Sequence, residues 1–316
     1  MTSCGIRVDS LHWIRNQISS LFLANFWDVG IVHAPIHRFL DPDFRPDVDW
    51  LSYSGGNRRF IADPFLFNKD GKPAIMMEEF DYGDGSGRII EGKLSFEEVE
   101  TRIAIAEDCH MSYPYVFNYR DRIFCTPETY QKNQIALYSF DPIRAQWEKE
   151  RVLVDGVPAC DPTVIRYDNH WWMFFTRSDD LCQKWLFIYH SEDLCGLWIK
   201  HPSSPVNTSR ASCRSGGTPF IHEGQLYRPA QDLSVIYGGG IAIKRVVEIS
   251  TTGFREEVVR QFKTLPGVKG EIHTLSGLEN LTAVDSLHRR LAWRETPRMI
   301  THKVRKLFGA ESVRTY

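Results

Sequence analysis

Four prolines, Pro64, Pro114, Pro162 and Pro219, open apolar runs of one design, roughly fifty residues apart. In each segment a small or polar residue precedes the proline, an apolar strand follows, and a polar turn leads into a second strand. The first reads Ala62-Asp63-Pro64-Phe65-Leu66-Phe67, turns at Asn68 to Gly71 and returns through Ala74 to Glu79. The second reads Ser112-Tyr113-Pro114-Tyr115-Val116-Phe117 and returns through Arg122 to Glu128. The third reads Cys160-Asp161-Pro162-Thr163-Val164-Ile165 and returns through His170 to Phe175; the fourth reads Gly217-Thr218-Pro219-Phe220-Ile221 and returns through Gln225 to Arg228. A period near fifty fits a propeller blade and not a helical repeat.

The outer halves repeat as well. Ile135 to Tyr138 leads to Trp147 and Val152-Leu153-Val154, and Leu186 to Tyr189 leads to Trp198 and His201-Pro202. Each unit therefore holds about four short strands, the content of one blade. A fifth unit is read in Ile272 to Ser276 and Leu281 to Val284. Trp27-Asp28-Val29-Gly30-Ile31-Val32 has the length and composition of a strand that closes the ring and removes its exposed edges. The expected fold is all-β, a five-bladed β-propeller over residues 27–288 with short flanking helices. A helical segment is expected at 1–26, from the pattern of Leu11, Ile14, Ile18, Leu21 and Phe22, and a basic helical tail at 289–316, with its helix from Arg298 to Leu307.

Composition excludes several function classes. A net charge of -2 gives no nucleic-acid footprint. The one basic cluster, Arg289, Arg290, Arg294, Arg298, Lys303, Arg305 and Lys306, reads as a solvated helix face, with peripheral contact to an anionic surface as the other reading. Seven cysteines, odd in number and never spaced Cys-x-x-Cys, suggest neither a disulfide framework nor a zinc site, so reduced thiols and a cytoplasmic location are expected. No secretory pattern opens the chain, and no apolar run approaches the ~18 residues of a membrane span. Gly216-Gly217 and Gly238-Gly239-Gly240 lack the spacing of phosphate loops and read as turns; no cofactor is expected.

Phe60-Ile61-Ala62-Asp63-Pro64-Phe65, His110-Met111-Ser112-Tyr113-Pro114, Thr126-Pro127-Glu128 and Arg228-Pro229-Ala230-Gln231-Asp232 together carry a family likeness. The sequence resembles, from Trp27 to Asp285, the propeller domain of bacterial sugar formyltransferase-like proteins and of plant glucosamine inositolphosphorylceramide transferases. More distantly it is similar to glycoside hydrolase family 43. That likeness implies a carboxylate base on the first blade, matched by Asp63, and an orienting carboxylate on the third, matched by Asp161. It also implies a glutamic acid donor on the fourth, where this chain reads Arg214-Ser215-Gly216-Gly217-Thr218. Without that donor an inverting hydrolase cannot protonate its leaving group.

The first residues of each repeat should line one central pocket. Asp63 and Asp161 are the expected catalytic carboxylates, with Glu128 or His110 as proton partner. Glu78, Tyr113, Arg214, Arg228, Gln231, Asp232 and His273 are the expected substrate-binding set, the arginines because guanidinium grips planar oxyanions. The plain alternatives are a turn aspartate before proline, a solvated Glu128, and salt bridges for Arg214 and Arg228. His273 alone makes no metal site, and none is expected. Trp171, Trp172, Trp185 and Trp198 supply either a sugar platform or interblade packing. The leading expectation is a carbohydrate-active enzyme transferring a glycosyl group from a sugar or nucleotide-sugar. The alternatives are a family 43-like hydrolase and a noncatalytic sugar-binding module serving a partner transferase.

Overall fold

The computed structural model describes residues 23–94, 99–180, 184–268 and 270–291. Its strands form five antiparallel sheets arranged as the blades of a propeller. The chain begins with β1 (Leu23–Val32) and β2 (Asp49–Trp50), which belong to the last blade. Blade one comprises β3 (Arg59–Lys69), β4 (Lys72–Asp81), β5 (Ser86–Lys93) and β6 (Thr101–Ile105). Blade two comprises β7 (Ser112–Tyr119), β8 (Arg122–Glu128), β9 (Gln134–Asp141) and β10 (Gln146–Asp155). Blade three comprises β11 (Ala159–Tyr167), β12 (His170–Arg177), β13 (Trp185–Ser191) and β14 (Ile199–Lys200), with β15 (Val206–Asn207) added at β13. Blade four comprises β16 (Phe220–His222), β17 (Gln225–Gln231), β18 (Ile241–Ile249) and β19 (Phe254–Phe262). Blade five comprises β20 (Leu275–Leu278) and β21 (Leu281–Leu291), completed by β1 and β2.

The ring is closed by β1, which pairs with β21 from Leu23↔Leu291 to Val32↔Thr282. It starts earlier than the sequence suggests, so Leu23 to Phe26, expected in a helical segment, are strand. Phe26 packs against Phe60 and Tyr82 of blade one, which explains why the apolar pattern runs on without a break. At the other end Arg289 to Leu291, expected to open the basic helical tail, are also strand, the end of β21 paired with β1; the rest of 1–26 and 289–316 lies outside the described residues. In blade five the regular ladder begins only at Leu275, because the backbone N–H groups of His273 and Thr274 are taken by Asp285 and not by a neighbouring strand.

Apolar contact between blades supplies the cohesion. One buried cluster joins Phe65, Tyr115, Phe124 and Trp171 of blades one to three; another joins Val29 and Ile31 of β1 to Ile61 and Ile75 of blade one. Trp171, Trp172 and Trp198 are buried in such clusters, which settles them as packing, while Trp185 is partly exposed. The three repeated prolines of blades one to three mark one backbone device. Asp63, Tyr113 and Asp161 hold φ of 50°, 46° and 51°, and the ladder slips between Ala62 and Phe65, Ser112 and Tyr115, Cys160 and Thr163. A left-handed non-glycine residue costs roughly 1–3 kcal/mol, so each bulge persists only because its surroundings impose it.

Removing residues 1–32 takes away β1 and leaves β21 with an open edge. Loss of the cooperative thermal transition is expected by circular dichroism; an unchanged transition would show that the ring holds without its closing strand.

Candidate functional site

Each bulge turns a backbone N–H out of its ladder, and a buried donor without a partner is costly. Carboxylates meet this need across the blades. Asp285 of blade five accepts the Asp63 N–H (3.1 Å), Asp63 of blade one accepts the Tyr113 N–H (3.1 Å), and Glu128 of blade two accepts the Asp161 N–H (2.9 Å). The circuit continues where Asp161 receives Arg214 and Gln231 of blade four. It closes where the Leu275 N–H of blade five reaches the Gly216 carbonyl (2.9 Å). The sequence-expected residues Asp63, Tyr113, Glu128, Asp161, Arg214, Gln231 and His273 are thus brought together, all nearly fully buried.

On the blade five side, His273 lies between two carboxylates, 2.7 Å from Asp285 Oδ2 through Nδ1 and 3.3 Å from Asp63 Oδ1 through Nε2. Burial opposes a charge on the ring, but Asp285 and Asp63 outweigh it and hold the imidazole pKa above its ordinary value. Burial likewise pushes Asp63 up, against the pull of His273. The Thr274 hydroxyl donates to Asp63 (3.0 Å), and Trp27 stacks on His273 with ring centres 3.9 Å apart. Asp63, His273 and Asp285 have the composition of a metal site, and the oxygens of Asp63 and Asp285 already accept backbone N–H groups.

Opposite them, Arg214 Nη2 reaches Asp161 Oδ1 (2.9 Å) and Glu128 Oε2 (3.4 Å), and its Nε donates to Asp161 Oδ2. Gln231 Nε2 donates to Asp161 Oδ2 (2.8 Å) and to the Ser215 carbonyl (2.9 Å). Burial pushes Asp161 up and the adjoining Glu128 adds to this, while Arg214 opposes it. Arg214 was expected to hold an anionic ligand; in the folded protein its guanidinium is committed to two carboxylates.

Glu78 stands apart. It occupies the place in blade one that Glu128 occupies in blade two, each facing across the ladder the residue before the bulge, Ala62↔Glu78 and Ser112↔Glu128. By that equivalence Glu78 should accept the Tyr113 N–H, but Asp63 accepts it, and Glu78 Oε1 is left buried without a hydrogen-bond partner. Burial raises its pKa well above the ordinary range, and Asp63, Glu128 and Asp161 all push the same way. His110 sits behind it: Nδ1 accepts the Gly87 N–H (2.8 Å), which leaves Nε2 to carry the proton of a neutral ring, 3.9 Å from Glu78 Oε1. Gln231 Oε1 and Ser215 Oγ are also buried without partners.

Two expected residues serve elsewhere. Arg228 is buried toward blade three, over the Phe174 ring, and pairs with Glu256 (2.8 Å), which Lys244 also contacts (2.6 Å). Asp232 accepts Gln261 Nε2 (2.7 Å) and the Ser234 N–H (2.9 Å), anchoring the segment 232–240. That segment lies over the site: Tyr237 contacts the His273 ring and lies 5.3 Å from the Arg214 guanidinium. A side chain at Gly238 would meet the Trp27 ring at 2.4 Å, so glycine is what lets the segment settle.

Gly217 is held to glycine by its surroundings. A Cβ there would lie 1.9 Å from the Leu275 carbonyl oxygen, and its N–H is taken by the Tyr113 hydroxyl (2.9 Å). No acidic side chain fits at that point of this backbone. Sequence reasoning missed Asp285, Thr274, Ser215 and Tyr237. The signal for Asp285 was the equivalence of the second strands, which reach Glu78, Glu128 and Asp285 in the same phase.

The model of the family "Glucosamine inositolphosphorylceramide transferase 1, N-terminal" matches residues 48–274. This chain belongs to that family. Glucosamine inositolphosphorylceramide transferase 1 of Oryza sativa subsp. indica is 33% identical over 207 residues, 62% of this chain and 27% of the relative. The chain therefore spans about a quarter of that relative's length. In fold it is similar to Zg3597, a family 117 glycoside hydrolase from Zobellia galactanivorans (TM-score 0.53, 12% identity, 82% of this chain and 90% of that one). It is also similar to a GH43 β-1,3-galactosidase solved with galactodeoxynojirimycin (TM-score 0.52, 7% identity, 67% and 81%). The expected family likeness and five-bladed fold are both shown.

Gly217→Ala should destabilise the protein by at least about 2 kcal/mol in chemical denaturation, since backbone must move to admit the methyl group; a change under half that size would remove the steric argument. The raised His273 pKa gives a contribution to stability that is complete below the ordinary value of 6.5 and is lost as pH rises through the folded value. The Tm gap between wild type and His273→Gln should therefore shrink from pH 6 to pH 9. A gap that widens would contradict an imidazolium between Asp63 and Asp285.

Proposed function

We propose that the propeller is the sugar-handling unit of a glycosyl-transferring protein, with the sugar held on the axis by Glu78, Gln231 and Ser215. The observation that carries this reading is that Glu78 Oε1, Gln231 Oε1 and Ser215 Oγ are among the buried atoms without hydrogen-bond partners, as is His273 Nδ1 of the same site, which faces Asp285. A buried polar atom left unpaired costs about 1–3 kcal/mol, which a bound ligand returns by pairing with it. A sugar, dense in hydroxyls, supplies such partners. Asp63 and Asp161, whose oxygens already accept hydrogen bonds, hold charge and geometry. Glu78, with a raised pKa and His110 behind it, is the carboxyl suited to exchange a proton with the ligand.

Transfer is favoured over hydrolysis because residues 214–218, where the fourth-blade acid of inverting hydrolysis is expected, contain no acid, and Gly217 admits no side chain. The name of the family, a transferase of glucosamine inositolphosphorylceramide type, supports the same class. A nucleotide-sugar gains nothing from Arg214, which is already paired. A second reading, a noncatalytic module that presents a sugar to a partner transferase, is favoured by the saturation of Asp63, whose two oxygens face Tyr113, Thr274 and His273.

Calorimetric titration with a panel of mono- and disaccharides tests the axial site. Gln231→Leu should weaken binding at least tenfold in a folded protein; equal binding by the variant, or no binding by wild type, would overturn the proposal. With a sugar and an activated donor, Asp63→Asn should abolish turnover, whereas a wild-type protein that binds sugar without turnover would be the presenting module.

A further inference from the structure

The side chains of the proposed sugar site are shut off from solvent: Ser215 is 0% exposed, Gln231 1% and Glu78 3%. Tyr113 closes the axis at one end. Its side chain leaves blade two, and its hydroxyl lies 3.0 Å from Thr163 Oγ1 of blade three and accepts the Gly217 N–H (2.9 Å) at the entry to blade four. Blades two and four are not neighbours in the ring, so a side chain that joins them crosses the channel. Thr163 lies two residues further along β11 than Asp161, whereas the segment 232–240 begins directly after Gln231, which pairs with Asp161. Tyr113 and that segment therefore stop the axis at opposite ends.

The segment is built as a strap. The same connection, from second to third strand, spans residues 82–85 in blade one and 129–133 in blade two, but 232–240 in blade four. Hydrogen bonds pin its two ends. The Asp232 N–H donates to the Gly240 carbonyl (2.8 Å), the Gly239 N–H to the Asp232 carbonyl (3.0 Å), the Leu233 N–H to the Arg210 carbonyl (2.9 Å) and the Ser234 N–H to Asp232 Oδ1 (2.9 Å). Between the ends the chain rises to Val235, which is 75% exposed, and returns to the axis at Tyr237, whose ring contacts His273 and faces the Arg214 guanidinium. Gly238 then seats against the Trp27 ring, which itself stacks on His273. A segment anchored at its ends and seated in the middle by side-chain contacts opens more easily than the ladders beside it.

We infer that residues 234–238 form a lid over the axial site, which lifts on its Asp232–Gly240 base to admit the ligand and carries Tyr237 as the plug. Its role rests on the proposal of an axial sugar site; its movement does not. A ligand that meets Glu78, Gln231 and Ser215 only after the lid lifts binds the open and closed forms differently, and so shifts the lid as it binds. Closed again, the lid keeps bulk water from the axis, a condition that favours passing a glycosyl group to an acceptor over losing it to water.

Ser215→Cys places a thiol behind the lid, and its labelling by a methanethiosulfonate reagent is followed in the full chain by peptide-resolved mass spectrometry. Adding Tyr237→Ala, which removes the plug, should speed labelling of the introduced thiol at least tenfold. Adding Gly238→Ala, whose methyl group meets the Trp27 ring and props the lid, should speed it at least threefold. The native thiol of Cys125, buried between blades, is the internal reference and should stay unlabelled over the same time. Equal rates in the three proteins, or an introduced thiol that stays unlabelled in all of them, would overturn the lid. Labelling of Cys125 at the same pace would overturn it too, since entry would then follow unfolding of the whole ring. Absence of sugar binding in the calorimetric panel would remove the axial sugar reading and leave the labelling result standing. Gln231→Cys is the second placement for the thiol if Ser215→Cys does not fold, and Tyr237→Ala decides alone if Gly238→Ala does not.

Discussion

The hydrogen bond from a strained backbone N–H before proline to a carboxylate of the adjoining blade is the contact on which the rest depends. It occurs at Asp63, Tyr113 and Asp161, and each time the acceptor is an acid reaching across a blade boundary. Bulge, proline and acid are one unit. The proline takes the place of a ladder donor, the left-handed residue before it turns its N–H away, and the acid meets that N–H and couples one blade to the next. Removing an acid would leave both a strained residue and an unpaired buried donor, a loss larger than that of an ordinary hydrogen bond.

This coupling fixes what the centre can do. Acids gathered to serve backbone donors also gather negative charge, and burial raises the pKa of Asp63, Glu78 and Asp161 in consequence. Arg214 and His273 answer most of that charge, and in doing so they become part of the framework. Glu78 is left over because Asp63, one blade position early, takes the N–H that the repeat reserves for it. A structural repeat that is broken once yields a carboxyl with spare capacity. On the fourth blade Gly217 is pressed against Leu275 and leaves no room for a side chain. The ring shares its fold with glycoside hydrolases.

Much of this could be read in the sequence. Proline spacing set the blades, and Asp63 and Asp161 stood out by their equivalent places before Pro64 and Pro162. The closing strand was legible from Trp27 to Val32, though not its start at Leu23, since an apolar run at a strand end resembles one face of a helix. Arg228 and Arg214 looked alike and proved different, because Arg228 lies within β17 and pairs with Glu256, whereas Arg214 lies in the segment before β16 and reaches the axis. Asp285 was missed because its blade lacks the proline that marks the others. The imbalance of acids over bases was hidden by a near-neutral total, which says nothing of where charges meet.

The most direct measurement of the axial site is a crystal structure of the protein soaked with a monosaccharide. The density expected lies on the axis beneath Tyr237, with one ligand hydroxyl within hydrogen-bond distance of Glu78 Oε1 and a second on Gln231 Oε1. A sugar seated elsewhere, such as the cleft lined by Tyr53, Arg59 and Arg290 between blades five and one, with the axial side chains unchanged, would contradict it.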